Sequence, residues 1–359
     1  MQQLIPLGWN ESLTKEFAAF ENKGLEAGRV AVENQDRYLV QTAHGEYHAE
    51  ITGKLMFQAA SPADWPKVGD WVVLSLFEEE RKAIIHEILP RKSKLSRKEA
   101  GKRIEEQVLA ANIDVIFIVQ SLDNNFNLRR IERYLVMVYE SQAQPVILLN
   151  KLDLDANFKE RVNEVKRTVS NVPVMAVSAE NNQGMASLKN SIKSGCTYAF
   201  IGSSGVGKST LINKLLGADV QPTTEIRQKD GRGRHTTSRR ELFVLPQGGC
   251  VIDTPGMREL QLWHSEDGVE QVFSEIEQLA SQCHFSDCSH TSEIKCAVLQ
   301  AVANGEIESS RYLSYVKLQK ELAYLESKQN LNSQLEKKRK DKELHCMIKQ
   351  VYKERKINN

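Results

Sequence analysis

Gly202-Ser203-Ser204-Gly205-Val206-Gly207-Lys208-Ser209 stands between the apolar run Tyr198 to Ile201 and the helix-like Thr210-Leu211-Ile212-Asn213-Lys214-Leu215-Leu216. A strand that stops abruptly, a glycine-rich turn and a helix start are the parts of a phosphate loop. Consecutive backbone N–H groups converge there on an anion that also faces the helix's positive end. Lys208 is placed to reach β- and γ-phosphates as a point charge, and the Ser209 hydroxyl to sit on a bridging magnesium ion. The plainer reading is a Gly/Ser-rich turn before an ordinary helix. The strand before and the helix after favour nucleoside triphosphate binding, with Gly202 through Thr210 as the contact set.

Outward from that loop, two further stretches address the base. Asn150-Lys151-Leu152-Asp153 follows the strand-like Pro145 to Leu149. An aspartate there can accept both N1–H and the N2 amine of guanine, which adenine lacks. A site built for such an edge rejects the wrong base by factors on the order of 10⁴. Ser178-Ala179, after the strand Val174 to Val177, is placed to add a backbone N–H toward the guanine oxygen, so the nucleotide is expected to be GTP.

Asp253-Thr254-Pro255-Gly256 supplies the remaining element. The Asp253 carboxylate can hold Mg²⁺ through water, and the Gly256 N–H can sense the γ-phosphate. Thr236 or Thr237, between phosphate loop and Asp253, is expected to complete the magnesium shell. The order is unusual, because the guanine motifs come first, then phosphate loop, switch threonine and Asp253. Since such loops all lie at the carboxyl ends of parallel strands, a permuted chain can assemble the same site. The second switch then leads straight into the C-terminal region.

The 359 residues suggest two or three domains. Net charge is +1, so nucleic-acid affinity has to come from local basic patches. Met1 to Pro6 carries no basic leader and no long apolar segment follows. Neither signal peptide nor membrane span is therefore expected, and the cytoplasm is the expected compartment. Leu13, Phe17 and Phe20 recur at helical spacing, with Gly24 as the stop. Short strand-like runs follow at Arg29 to Glu33, Tyr38 to Thr42, Glu46 to Thr52, Lys54 to Gln58, Asp70 to Phe77 and Ala83 to Leu89. So many in about sixty residues suggest a small closed barrel. Arg91 to Lys98, with five basic residues in eight, reads either as a solvated linker or as a phosphate-contacting arm. From residue 104 onward strands and helices alternate, as in a doubly wound α/β domain. The tail beyond about residue 308 is helical in pattern. It ends basic at Lys337, Lys338, Arg339, Lys340 and Lys342. With the linker and Arg232, Arg234, Arg239 and Arg240 it makes several separated basic patches, which suit a large folded RNA.

These motifs, with Gly28-Arg29-Val30 and Val68-Gly69-Asp70-Trp71-Val72, resemble the circularly permuted bacterial GTPases that act in late maturation of the small ribosomal subunit. The resemblance runs to Cys296. It implies an N-terminal barrel of OB type, a central permuted GTPase domain and a C-terminal zinc domain of mostly α structure. The expected boundaries are 1–99, 100–266 and 267–359. It also implies GTP hydrolysis stimulated by the small subunit, with rRNA contact, in a protein expected to be a monomer. Where many GTPases carry a water-orienting glutamine after the Asp-x-x-Gly motif, this chain has Met257. Slow intrinsic hydrolysis is expected, and His235 is either the water-orienting group or an RNA contact. Met257 also leaves open a guanine-nucleotide-dependent scaffold or signalling protein with negligible turnover.

Cys283, Cys288, His290 and Cys296 offer three thiolates and an imidazole inside fourteen residues. Spacing supports a closed, structural zinc site with His290 preferred to His284, which would need a strained chelate beside Cys283. The family resemblance implies the same metal. Cys196, Cys250 and Cys346 read as isolated, incidental residues.

Overall fold

Turn-bounded runs rich in Val, Ile and Tyr form five strands: β1 (Glu26–Asn34), β2 (Arg37–Thr42), β3 (Gly45–Ile51), β4 (Trp71–Phe77) and β5 (Lys82–Ile88). The computed structural model describes residues 1–34, 37–99, 105–169, 171–218, 240–253, 262–263 and 266–328. The five strands pair in the order β1-β2-β3-β5-β4 and close through β4 back onto β1. The barrel interior is filled by Val30, Val40, Tyr47, Val72, Leu74 and Ile85, so no lumen remains. Helix α1 (Glu11–Glu21) precedes it and buries Leu13 and Phe17; it ends at Asn22, two residues before the glycine expected to stop it.

The run Lys54 to Gln58 is not a strand. Helix α2 (Gly53–Gln58) occupies it, started by the Thr52 hydroxyl, which accepts the Leu55 N–H at 3.2 Å. Leu55 packs against the barrel core, while Phe57 is 92% exposed. Three consecutive apolar residues mimic a buried strand by letter, but the local hydroxyl cap decides the backbone.

The basic run also differs from both expectations at its first residue. Arg91 is neither solvated nor an arm, because its guanidinium forks onto buried Asp70 at 2.9 and 2.8 Å. It also donates to the carbonyls of Ala63 and Trp65. The run continues as β6 (Lys94–Lys98), which pairs with β7 (Glu106–Ala111).

Beyond the ribbon, apolar runs that are β-branched and continuous form strands covered on both faces. These are β8 (Val115–Ser121), β9 (Gln144–Asn150), β10 (Val174–Ala176), β11 (Thr197–Ile201) and β13 (Cys250–Asp253), with β12 (Glu241–Val244) antiparallel to β13. The order is β10-β9-β8-β11-β13-β12 and all but β12 run parallel. Intervening helices are α3 (Leu128–Glu140), α4 (Phe158–Thr168), α5 (Met185–Ser191) and α6 (Lys208–Leu216). After β13 come α7 (Glu266–Val272) and α8 (Ser274–Ala280). Phe117, Phe200, Leu211, Ile212 and Val251 make the core on the α5 and α6 side.

Barrel and α/β sheet are one hydrogen-bonded surface. Along one edge, β1 pairs with β4 over Glu26 to Arg29, then with β12 at Val32 opposite Glu241, after a bulge between Val30 and Val32. Arg29, 1% exposed, sits at this handover. Its guanidinium donates to the carbonyls of Leu7, Gly69 and Asn112 and lies over the Trp71 ring, 5.3 Å from its centroid. Thus Gly28-Arg29-Val30 and Val68-Gly69-Asp70-Trp71-Val72 meet as one buried node. Gly69 is obligatory in it: at φ +92°, an added Cβ would come within 2.2 Å of the Ala111 carbonyl.

Contacts divide the chain into two compact units: residues 1–97 with 107–277, and 98–106 with 278–359. In the second, α9 (Ala297–Ala303) and a helix α10 over 309–328 bury Val298, Ala301, Tyr315, Leu318 and Leu325. Among the described residues no helix is long and apolar enough to cross a membrane.

Candidate nucleotide and metal sites

The chain runs β8, β9, β10 to one side of the sheet and returns at β11 on the other side of β8. The crevice above β8 and β11 is therefore the switch point at which open α/β sheets bind ligands. The phosphate loop leaves β11 there. Gly202 (φ +152°) and Gly207 (φ +96°) are required by geometry: a Cβ on the first would lie 2.4 Å from the Val119 carbonyl, and on the second 2.3 Å from Asn150 Nδ2. Val206 is buried beneath the loop, whereas Ser204 and Gly205 are exposed on its rim and Ser209 and Thr210 open helix α6 half-buried. Lys208 is 8% exposed, and its ammonium donates to the carbonyls of Gly202 at 2.7 Å and Ser203 at 2.8 Å, which holds the loop around it.

Asn150 does something the motif alone does not reveal. Its Nδ2 donates to the Val206 carbonyl at 2.8 Å and its Oδ1 accepts the Ala179 N–H at 3.2 Å. One buried amide thus ties the phosphate loop to the Ser178-Ala179 loop. Lys151 takes the left-handed conformation (φ +62°), which turns the chain so that exposed Asp153 stands at the rim. The buried Ser178 hydroxyl donates to Asp153 Oδ1 and orients that carboxylate. Asp253 ends β13, buried, one strand over from the phosphate loop.

Two residues without motif status join this group. Asp123, after β8, accepts from Lys151 Nζ at 2.9 Å, the Ser121 hydroxyl at 2.7 Å and the Asn125 N–H at 2.9 Å. Burial pushes its carboxyl up, but these three donors outweigh that and hold it below the usual carboxylate range. Asn125 reaches Ser203 Oγ at 3.3 Å. Their position at the carboxyl end of a parallel strand was the signal available for finding them. Thr236, Thr237, His235, Gly256 and Met257 lie outside the described residues.

In the second unit, Cys283, Cys288, His290 and Cys296 present four ligand atoms, all within 4.8 Å of one another. His290 adopts φ +57° and is held by the Tyr312 hydroxyl, which donates to its carbonyl at 2.6 Å. Glu293 accepts the N–H groups of Ser289, Thr291 and Ser292, closing the turn between His290 and Cys296. The Ser289 hydroxyl, which also donates to Glu293, and the backbone N–H groups of Ser292 and Ser289 hold its carboxyl far below the usual range. His284 instead packs edge-on against Phe285. The four-residue cluster can hold a metal ion.

A parallel sheet with a phosphate loop at its switch point and the base motifs upstream in sequence defines a circularly permuted GTPase. Residues 88–263 match the RsgA GTPase family. The chain is 47% identical over 327 residues to small ribosomal subunit biogenesis GTPase RsgA 2 of Lactiplantibacillus plantarum, covering 90% of this chain and 92% of that one. It is also similar to the crystal structure of YjeQ from Thermotoga maritima (TM-score 0.62, 29% identity, 83% of this chain and 99% of that one). Its fold matches that of YloQ, a circularly permuted GTPase (TM-score 0.59, 24% identity, 85% and 97% covered). The chain belongs to the RsgA GTPase family, and it is a GTPase.

Proposed function

We propose that this GTPase acts in biogenesis of the small ribosomal subunit, binding that subunit and its rRNA with GTP, hydrolysing GTP there and leaving with GDP. The observation that carries the nucleotide part is the Asn150 amide, which links phosphate loop and Ser178-Ala179 loop into one rim. Gly202 through Thr210 and Gly256 receive the phosphates, Lys208 exchanging two backbone carbonyls for phosphate oxygens. Asp153 accepts the two guanine donors, the Ala179 N–H is shared between Asn150 Oδ1 and the guanine oxygen, and Asn150 and Lys151 hold the rim. Ser209, Asp253 and Thr236 or Thr237 would hold Mg²⁺, whose charge offsets that developing on the phosphates. His235 orients the attacking water in place of the residue that Met257 cannot supply.

Cys283, Cys288, His290 and Cys296 hold zinc. Tetrahedral bonds of about 2.3 Å to sulfur and about 2.05 Å to nitrogen require S···S near ~3.8 Å and S···N near ~3.5 Å. The Cys283–Cys296 sulfur separation is 3.8 Å, and the His290 Nδ1 distances are 3.5 and 3.4 Å. Four protein ligands leave no open position, so the ion closes the segment's fold and does no chemistry. The functional parts are a barrel over 1–99, a GTPase part over 100–266 and a zinc and helical part over 267–359, in a cytoplasmic protein.

The test is GTP hydrolysis with and without small ribosomal subunits at two salt concentrations. Large stimulation, weakened by salt, is expected. Tight GTP binding with unstimulated, near-zero turnover would refute the proposal. His235→Ala should lose most of the stimulated rate while keeping GTP affinity; full stimulated turnover would remove His235 from the reaction.

A further inference from the structure

Across the crevice between β8 and β11 runs a polar chain that none of the four GTPase motifs requires. It begins in the base loop, where Lys151 Nζ lies 2.9 Å from Asp123 Oδ2. Asp123 Oδ1 accepts the Asn125 N–H at 2.9 Å. The Asn125 side-chain and main-chain oxygens then accept from Arg130 NH1 at 2.9 and 3.2 Å. Finally, Asn125 Nδ2 and Arg130 NH1 both donate to Ser203 Oγ, at 3.3 and 3.2 Å. Ser203 is the second residue of the phosphate loop, and its carbonyl accepts from Lys208.

The chemistry of the chain is directional. Ser203 Oγ has two lone pairs and both are taken by donors on the far wall of the crevice. A seryl hydroxyl on a glycine-rich loop would otherwise rotate freely; here an amide and a guanidinium pin it. At the other end, Asp123 takes the ammonium of the residue that turns the chain toward Asp153. One ion pair and several charge-assisted bonds make up most of the path, and it is partly buried, where such bonds are stronger than in water. Arg130 comes from the first turn of α3, the helix that leads back from β8, so the path is tied to the sheet and not to a loop tip.

We infer that Asp123, Asn125 and Arg130 are positioning residues that couple the base loop to the phosphate loop, so that guanine recognition and phosphate binding are one cooperative event. This rests on the reading of Asn150 to Asp153 and Gly202 to Ser209 as the nucleotide site. The coupling has an observable signature. Loss of Arg130, which bonds Asn125 and Ser203 and touches no residue of the base loop in this path, has to weaken discrimination at the base end. It also makes damage at the two ends non-additive, because either break severs the same path.

The experiment measures, by calorimetry on the full zinc-loaded chain, the affinities of GDP and of IDP, which differ only in the guanine N2 amine. The proteins are wild type, Arg130→Ala, Arg130→Lys, Asp123→Asn and the Asp123→Asn/Arg130→Ala double variant. Arg130→Ala is expected to lower GDP affinity about tenfold, the scale of a lost hydrogen bond to a charged group. It should also shrink the GDP-over-IDP ratio about threefold or more. Arg130→Lys should restore part of both. The double variant should bind GDP nearly as well as the worse single variant, not about a hundredfold below wild type. Wild type that fails to prefer GDP would overturn the site reading itself. Wild type that prefers GDP, with Arg130→Ala keeping the full GDP-over-IDP ratio, would overturn the relay and leave the site intact; so would fully multiplicative losses. Asn125→Ala breaks the same link without touching α3, and serves if Arg130→Ala does not fold.

Discussion

Replacing Asn150 by alanine separates two ideas about that residue. If its role were only to meet the nucleotide, the empty protein would not notice the change. The structure gives the amide two internal bonds, to the Val206 carbonyl and from the Ala179 N–H, at 2% exposure. Truncation strands a carbonyl and an N–H that water reaches poorly. Each such orphan costs about 1–3 kcal/mol, and partial relaxation of two loops keeps the sum near ~2–4 kcal/mol. In a unit of this size each kcal/mol moves a thermal midpoint by about 2–4 °C, so the nucleotide-free protein should melt roughly 4–16 °C lower. Asn150→Asp keeps the acceptor for Ala179 N–H but sets an anion against the Val206 carbonyl, and should be no better than alanine. The assay is thermal unfolding followed by circular dichroism, without nucleotide and with saturating GDP. A nucleotide-free midpoint unchanged within a degree, with a deficit seen only when GDP is present, would refute the bridging role.

Other perturbations follow from the same geometry. Arg91→Met leaves Asp70 buried without its forked partner and should cost about 3–5 kcal/mol by denaturant titration, whereas a loss under ~1 kcal/mol would mean water reaches that carboxylate. Gly268→Ala opposes two effects: helix propensity gains about 1 kcal/mol, but the new Cβ would lie 2.4 Å from the Val136 carbonyl where α7 crosses α3. Backbone cannot yield cheaply, so net destabilisation of roughly 1–3 kcal/mol is expected, and a stabilised variant would contradict the crossing. The lowered Asp123 carboxyl contributes stability that is present above the unfolded carboxylate range near ~3.9 and is lost as pH falls through its lower folded value. The deficit of Asp123→Asn should accordingly be full at pH 7 and vanish toward pH 2, as urea midpoints across that range would reveal. Cys288→Ser should release zinc to a chromophoric chelator and unfold the second unit; zinc retained at wild-type stoichiometry would remove Cys288 from the ligand set.

Much of this site could be read from letters because its chemistry is local. A phosphate loop needs glycines at fixed places, and here the four residues able to hold a metal ion fall within fourteen residues, so both survive as spacing. The permuted order of motifs was equally legible, since parallel strands can be visited in any order. What escaped were long-range partnerships. Nothing in Arg91 distinguishes a clamp on Asp70, 21 residues away, from a solvated cation in a basic run. The Asn150 bridge spans 56 residues to Val206, and the Arg130 contact spans 73 to Ser203. Lys54 to Gln58 failed for a different reason, a single hydroxyl cap at Thr52 overriding an apolar run.

The handover along β1 has a consequence for how the polypeptide can be taken apart. One edge of this strand closes the barrel with its first half and extends the α/β sheet with its second. A cut at residue 99 would therefore not separate two independent sheets. The released C-terminal piece would carry β12 with only the edge that faced β1 bare, its other edge still paired with β13, and would lose the guanidinium that satisfies the Asn112 carbonyl. The released barrel would expose the far half of β1. Both fragments would present strand edges of the kind that recruit foreign strands. Protease nicking there should thus yield two halves that stay associated, or that precipitate when pulled apart, and a library of truncations should find soluble pieces only where the barrel and the sheet are kept together.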